Sequence, residues 1–240
     1  MSTPIVAGAA AMVRQYFKNE SFYAADVKQR GFCDDASIDT EDSRFICTSF
    51  SPSAATVKAM LVNSANLVLP MNGEGDMGLF VVDSSNRSLE GFDEHNYSFD
   101  LDASTGMDVR ATLAWIDPPA SPMAQVLLIH DLNLKLESPN GTVYTMWSDH
   151  EDDRNVIERV IVPGDQVTGD GQWVVSVSSL DVTDDSQPYS LVVTGPFERL
   201  ESVTDGNSDS DESSSASRTS GLTLMRAVVT AMSSIIAVAA

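Results

Sequence analysis

Apolar positions change their spacing along the chain. In MSTPIVAGAAAMVRQYF, Ile5, Ala9, Met12, Val13 and Tyr16 recur at intervals of three and four, the period of a helix. Ser2 or Thr3 can cap it, and Pro4 suits its first turn. The run AGAAA at 7–11 is small on every side, which predicts a helix enclosed by its neighbours; an exposed amphipathic helix would be patterned differently. A second helix is expected after Ser51-Pro52, carried by Val57, Met60, Leu61 and Ala65. Turn signals at Asn72-Gly73 and Glu74-Gly75 follow, then the short apolar run GLFVV at 78–82.

From about residue 95 the period becomes two, the signature of strands with one buried face. Tyr97, Phe99 and Leu101 alternate with Ser98, Asp100 and Asp102. Val109, Ala111, Leu113 and Trp115 alternate with Arg110, Thr112 and Ala114. Leu132, Leu134 and Leu136 alternate with Asn133, Lys135 and Glu137. The turn Ser138-Pro-Asn-Gly141 leads into VYTMW, and VIERVIV (156–162), WVVSVSSL (173–180) and YSLVVTG (189–195) complete the series. Short strands with frequent turns predict an antiparallel β-sandwich forming its own domain.

At Glu198 the composition shifts to ERLESVTDGNSDSDESSSASRTSG, acidic and serine-rich, the composition of a disordered linker. LTLMRAVVTAMSSIIAVAA follows, uncharged from 227 to 240. Three readings stand for it. It resembles a lipid-anchor attachment signal, with small residues at 213–216, a spacer and an apolar tail. It resembles a transmembrane helix shortened by Arg226. It could also be an ordinary docking tail. The first two attach residues 221–240 to a membrane.

Charge narrows the partners. Asp and Glu number 35 against 14 Lys and Arg, a net charge of −21. That excludes a nucleic-acid surface, which needs a basic face, and disfavours anionic lipid. Cys33 and Cys47 are the two cysteines. They are either one disulfide closing a polar loop in an oxidising compartment or two free thiols, and their spacing is not that of a structural zinc site. Sequons at Asn19, Asn86, Asn96 and Asn140 lean towards the secretory pathway and an extracellular or cell-surface location. No cofactor is expected. Calcium is the ion that Asp117, Asp131, Asp149, Asp152 and Asp153 could take at sandwich loops, with Asp131 the first to test; the alternative is solvated loop carboxylates. Trp115, Trp147 and Trp173 read as core rather than as a sugar-binding platform.

The opening segment resembles the stretch just after the nucleophile in subtilisin-like serine proteases, Gly-Thr-Ser-Met-(Ser or Ala)-Thr-Pro-x-Val-(Ala or Ser)-Gly-Ala-Ala-Ala. Met1, Ser2, Thr3, Pro4, Val6, Ala7, Gly8 and Ala9–Ala11 match it. PSAATVKAMLVNSA (52–65) is similar to a later helix of that family. VRATLAWIDPPAS (109–121), LIHDLNLKLESPNGTVY (128–144), DRNVIERVIV (153–162), GQWVVSVSS (171–179) and QPYSLVVTG (187–195) resemble the jelly-roll domain that follows the catalytic domain in some large subtilases. The resemblance covers about residues 1–196.

What the resemblance implies is an α/β remnant followed by an all-β, jelly-roll-like sandwich. Residues 1–92 would be the C-terminal part of a peptidase domain, 93–196 the sandwich, 197–220 a disordered linker and 221–240 the tail. The catalytic serine would directly precede Met1, with the catalytic Asp, the catalytic His and the oxyanion Asn earlier. His95, His130 and His150 do not sit in the family's Gly-Thr-His setting. Met1, Ser2, Thr3, Pro4 and Gly8 would then support the active-site helix, whose N-terminal amides favour an oxyanion. The parent would be a serine endopeptidase acting on peptide or protein substrates through an acyl-enzyme. The present chain, without the triad, is expected to be inactive alone. Two other readings remain: a non-enzymatic surface module tethered by its tail, and a pseudo-protease fragment.

Overall fold

The computed structural model describes residues 2–25, 27, 46–65, 77–146, 154–168, 171–182 and 186–205. Helix α1 (Ser2–Lys18) is followed by a π-helical turn at Glu20–Ala24, which Asn19 caps. Helix α2 (Ala54–Ser64) starts at Ser53, whose side chain accepts from Thr56 N. Such a cap satisfies one of the amides that a helix leaves orphaned at its start.

The rest is antiparallel sheet in two layers. The first sheet runs β1 (Gly78–Val82), β9 (Gln187–Gly195), β4 (Val109–Trp115), β7 (Ile157–Val162), with β2 (Ser88–Leu89) pairing to the start of β9. The second runs β10 (Phe197–Asp205), β3 (Glu94–Leu101), β8 (Gln172–Asp181), β5 (Asp131–Glu137), β6 (Val143–Thr145). A short 3₁₀ turn at Ala103–Thr105 joins β3 to β4. The expected turn at 138–141 forms: Gly141 N bonds Ser138 O at 2.9 Å, and Gly141 holds a φ of 82° that glycine tolerates.

Two cores result. Between the sheets, Leu132, Leu134, Leu136, Tyr97, Phe99 and Trp173 meet Phe80, Val109, Leu113, Trp115, Leu191 and Val193. On the other face of the first sheet, Leu79, Val81, Ala114 and Val192 meet Val57, Ala59 and Met60 of α2 and Val13, Tyr16 and Phe17 of α1. The order is therefore helices, sheet, sheet. Among the described residues only the middle layer is covered on both faces, which explains why every residue of β4 is buried while β5 alternates.

Three features differ from the sequence expectations. The boundary placed at 92/93 falls inside the sandwich, because β1 and β2 pair with β9. The linker expected over 197–220 does not cover its first nine residues, because Phe197–Asp205 is β10, paired to β3. A charged stretch can be an edge strand, since charge is one way to protect a sheet edge. Helix α1 is one-faced: Ala9, Val13, Tyr16 and Phe17 are buried, whereas Val6, Ala7, Gly8 and Ala11 are exposed. Ala7, Gly8 and Ala11 line the open side, while Ala9 and Ala10 pack inward. Among the described residues no helix is long and apolar enough to cross a membrane; residues 206–240, including the tail, lie outside them.

Candidate functional site

Among the described residues a dense polar constellation lies where α2 meets the first sheet. Asp83, directly after β1, is fully buried. Its Oδ2 accepts from Ser53 N at 2.8 Å and from the Thr56 hydroxyl at 2.5 Å, and its Oδ1 accepts from Ser85 N at 2.9 Å. Thr56 Oγ1 also lies 2.8 Å from Ser190 Oγ of β9, which accepts from Ser84 N at 3.1 Å. Burial pushes the Asp83 carboxyl up, but the donors from Thr56, Ser53 and Ser85 outweigh it and hold the group below its ordinary value.

Asn63 clamps the other end of α2. Its Nδ2 faces Arg110 O, Thr112 Oγ1 and Val192 O, each at 3.3 Å, and its Oδ1 accepts from Thr194 Oγ1 at 2.8 Å. Arg159 of β7 donates to the terminal carbonyl of Ala65 at 2.6 Å. Burial, then the neighbouring Arg110, lower the Arg159 pKa. Lys58 reaches Val156 O at 3.2 Å, and burial lowers its pKa. These groups fasten the helix. They pair hydroxyls, amides and a carboxylate with no imidazole among the partners, so they do not build a nucleophile–base couple.

The two described histidines are buried in the sandwich. His95 Nδ1 lies 2.7 Å from the Tyr189 hydroxyl, which in turn meets the Tyr97 hydroxyl at 2.5 Å. Burial, then Tyr97, push the Tyr189 phenol well above its ordinary pKa. His130 Nδ1 lies 2.8 Å from Gln187 Oε1, and its carbonyl accepts from the Trp115 indole at 3.1 Å. Asp117 accepts from Ile129 N at 2.7 Å and His130 N at 2.9 Å, closing the loop 116–130 on itself.

The other residues singled out by sequence fall as follows. Thr3, Pro4 and Gly8 are exposed on α1, and a Cβ at Gly8 would meet nothing within 4 Å. Ser2 is the first residue of α1, and Met1 lies outside the described residues. Asp131 is half-buried at the start of β5, its Cα opposite Asp181. Among the described residues no group of three or more His, Cys, Asp or Glu converges; Asp149, Asp152, Asp153 and His150 lie outside them. Trp115 and Trp173 are core, and Trp147 lies outside. Cys47 is buried and disulfide-bonded; Cys33 lies outside. Asn140 is exposed in its turn, with Oδ1 accepting from Thr142 N at 3.0 Å. Asn86 is exposed, Asn19 is the exposed cap of the π-helical turn, and Asn96 is half-buried on β3, accepting from the Ser176 hydroxyl.

Asp83 and Asn63 were not foreseen. The signal for the first was partial, since Ser53 and Thr56 have cap spacing, but nothing local points from them to Asp83.

No family model matches the chain. It is 23% identical over 223 residues to the "Serine protease/ABC transporter B family protein tagA" of Dictyostelium discoideum, covering 79% of this chain and 12% of the relative. The chain therefore spans about an eighth of that protein. Among solved structures it superposes on the Clostridium perfringens CspB protease with a TM-score of 0.27 and 11% identity, over 52% of this chain and 26% of the other, too low to assign a shared fold.

Proposed function

We propose that the chain is a non-catalytic, C-terminal portion of a serine-protease-related protein. In this reading α1 and α2 are the last helices of a subtilisin-like α/β catalytic domain and the two-sheet unit is the jelly-roll-like domain behind it. The observation that carries the reading is the two-sidedness of α1. One face packs on α2 and the aromatic cluster; the other presents Val6, Ala7, Gly8 and Ala11 to solvent. Small residues let a neighbouring element approach closely, as the enclosed nucleophile helix of a protease requires. With the edge strands β2 and β10 set aside, the strand orders 1-9-4-7 and 3-8-5-6 are compatible with two nested Greek keys, and the Dictyostelium relative supports the protease part.

Ser2, Thr3 and Pro4 would hold the first turn of the nucleophile helix, and the whole protein would cleave peptide or protein substrates by acyl transfer. The Cys47 disulfide and the exposed sequons support a secreted or cell-surface location, with residues 221–240 as the attachment.

Reading the coding sequence upstream of Met1 tests this. An in-frame Gly-Thr-Ser, preceded by His and Asp segments, is expected. The purified chain should neither cleave casein nor react with a fluorophosphonate; casein cleavage lost on Ser2→Ala would overturn the proposal. A second reading, a non-enzymatic surface module, is favoured by the sandwich having a core of its own. A separate leader peptide in place of the Gly-Thr-Ser would select it.

A further inference from the structure

Six of the ten large apolar side chains exposed among the described residues crowd one end of the sandwich. They are Phe92 (83% exposed), Ile116 (64%), Met123 (93%), Val126 (53%), Leu127 (67%) and Ile129 (39%). Phe92 sits in the turn before β3, where Ser179 bonds the backbone of Gly91 and Asp93. The others lie on the loop from β4 to β5, and the β5/β8 register puts Leu132 opposite the same Ser179. Residues 118–129, PPASPMAQVLLI, carry no charge in a chain of net −21.

Part of the backbone of this loop lacks a donor or has it paired within the chain. Pro118, Pro119 and Pro122 have no N–H. Ile129 N and His130 N are taken by Asp117, and Ala124 N bonds Ser121 O at 2.9 Å. The other amides hold the loop at the interface, where water still reaches them, since unpaired backbone donors are barred from the hydrocarbon itself.

The chain also leaves the fold at this end. Asp205 pairs with His95, His95 with Val177, and Val177 with Leu134, so Asp205 and Leu134 share one row of the second sheet. Three strand spacings make that about 14 Å. Strand β10 runs towards the turn that bears Phe92. Residues 206–220 are an acidic, serine-rich spacer of 15 residues, and 222–240 hold a single charge, Arg226. Fifteen residues reach at most about 50 Å. An attachment at 221–240 would therefore be made from this end of the sandwich, which lies within that reach of the surface to which it attaches.

We propose that this end of the sandwich lies on a membrane. Phe92, Met123 and Leu127 would dip into the interface of an uncharged, zwitterionic leaflet, while the tail supplies the tether. Side chains standing this far clear of the surface suit a soft medium better than a protein groove, and the net charge of the chain selects against anionic lipid. The proposal rests on the membrane attachment proposed for residues 221–240, and the experiment separates the two.

The full chain is tested by flotation with phosphatidylcholine vesicles, alongside Met123→Asp/Leu127→Asp, the milder Met123→Ser/Leu127→Ser, and the tail variant Val228→Asp/Val229→Asp. The Asp pair should weaken vesicle binding at least about tenfold, and the Ser pair in the same direction, with unchanged unfolding midpoints. Loop variants that float like the wild type would overturn the proposal; loss confined to the tail variant would overturn it and leave the tail attachment standing. Binding that survives in the tail variant and is lost in the loop variants would uphold the apolar end and overturn the tail. Protection of residues 123–129 from hydrogen exchange in buffer, lost in the tail variant, would assign this end to the tail instead. A concentration-dependent dimer abolished by the loop variants would assign it to a second copy. Either result overturns the proposal.

Discussion

Asp83 shows how a single carboxylate can decide where a helix docks. It is fully buried, and its donors come from the cap of α2 and from its own turn. Asp83→Asn keeps the shape but turns an acceptor edge into donors facing donors. The variant should lose about 1.5–3 kcal/mol of stability, measured by denaturant titration. The pH dependence follows from the lowered carboxyl pKa. Since the folded value lies below the unfolded one, the stabilisation is whole above about pH 4 and is lost as pH falls through the folded value. The acid limb of the stability curve should therefore be shallower in Asp83→Asn than in the wild type. An equally steep limb would mean that another carboxylate controls it. At the opposite end of α2, Asn63 makes a sharper comparison. Its amide nitrogen serves three oxygens, so Asn63→Ala should cost about 1–3 kcal/mol. Asn63→Asp should cost more, because it aims a buried charge at carbonyls. Thermal unfolding of the pair checks the order.

At the scale of elements, the sheets join through a side chain as well as through their core. Glu158 of β7 in the first sheet reaches β5 in the second, where its Oε2 accepts from Leu134 N at 2.6 Å. Strand β6 pairs with β5 only at Lys135, Leu136 and Glu137, so Glu158 serves an amide just beyond the end of that ladder. Glu158→Ala leaves this buried N–H unpaired and should cost about 1–3 kcal/mol; Glu158→Gln, which can still accept, should recover part of it. Hydrogen exchange at Leu134, faster in the Ala variant than in Gln, reads the same bond directly. These elements also show what a linear pattern can reveal. Strand β5 was legible because one face is solvated, and Leu132, Leu134 and Leu136 alternate with polar residues. In β4 the alternation hid a second buried face: Thr112 and Ala114 look like an outer face but lie beneath α2. Strand β10 went unread because FERLESVTD carries its charge on a sheet edge, where period and polarity say linker. Apart from Asp83–Ser85, the Asp83 and Asn63 contacts join residues 27 to 131 positions apart. No local spacing encodes such partners.

At the scale of the molecule, the sequence suggests a helical remnant beside an independent sandwich, whereas the packing describes one body. Strand β1 supplies both cores, with Phe80 and Val82 facing the second sheet and Leu79 and Val81 facing the helices. Helix α2 is fastened to the first sheet through Asp83, Asn63 and Arg159, each reaching a partner distant in sequence. Unfolding the sandwich therefore strips α2 of its buried face and of the partners at both ends. An 11-residue helix is marginal in water without such packing. The expected outcome is a single cooperative transition. The helical ellipticity at 222 nm and the fluorescence of Trp115 and Trp173, both buried between the sheets, should give superimposable denaturation curves. Helix loss at lower denaturant than the tryptophan change would mean that the helices and the sandwich are separate units after all. In Asp83→Asn both curves should shift together, because the substitution weakens the seam without dividing the body. If instead the mutation pulled them apart, this polar lock would be what makes the two layers one cooperative unit.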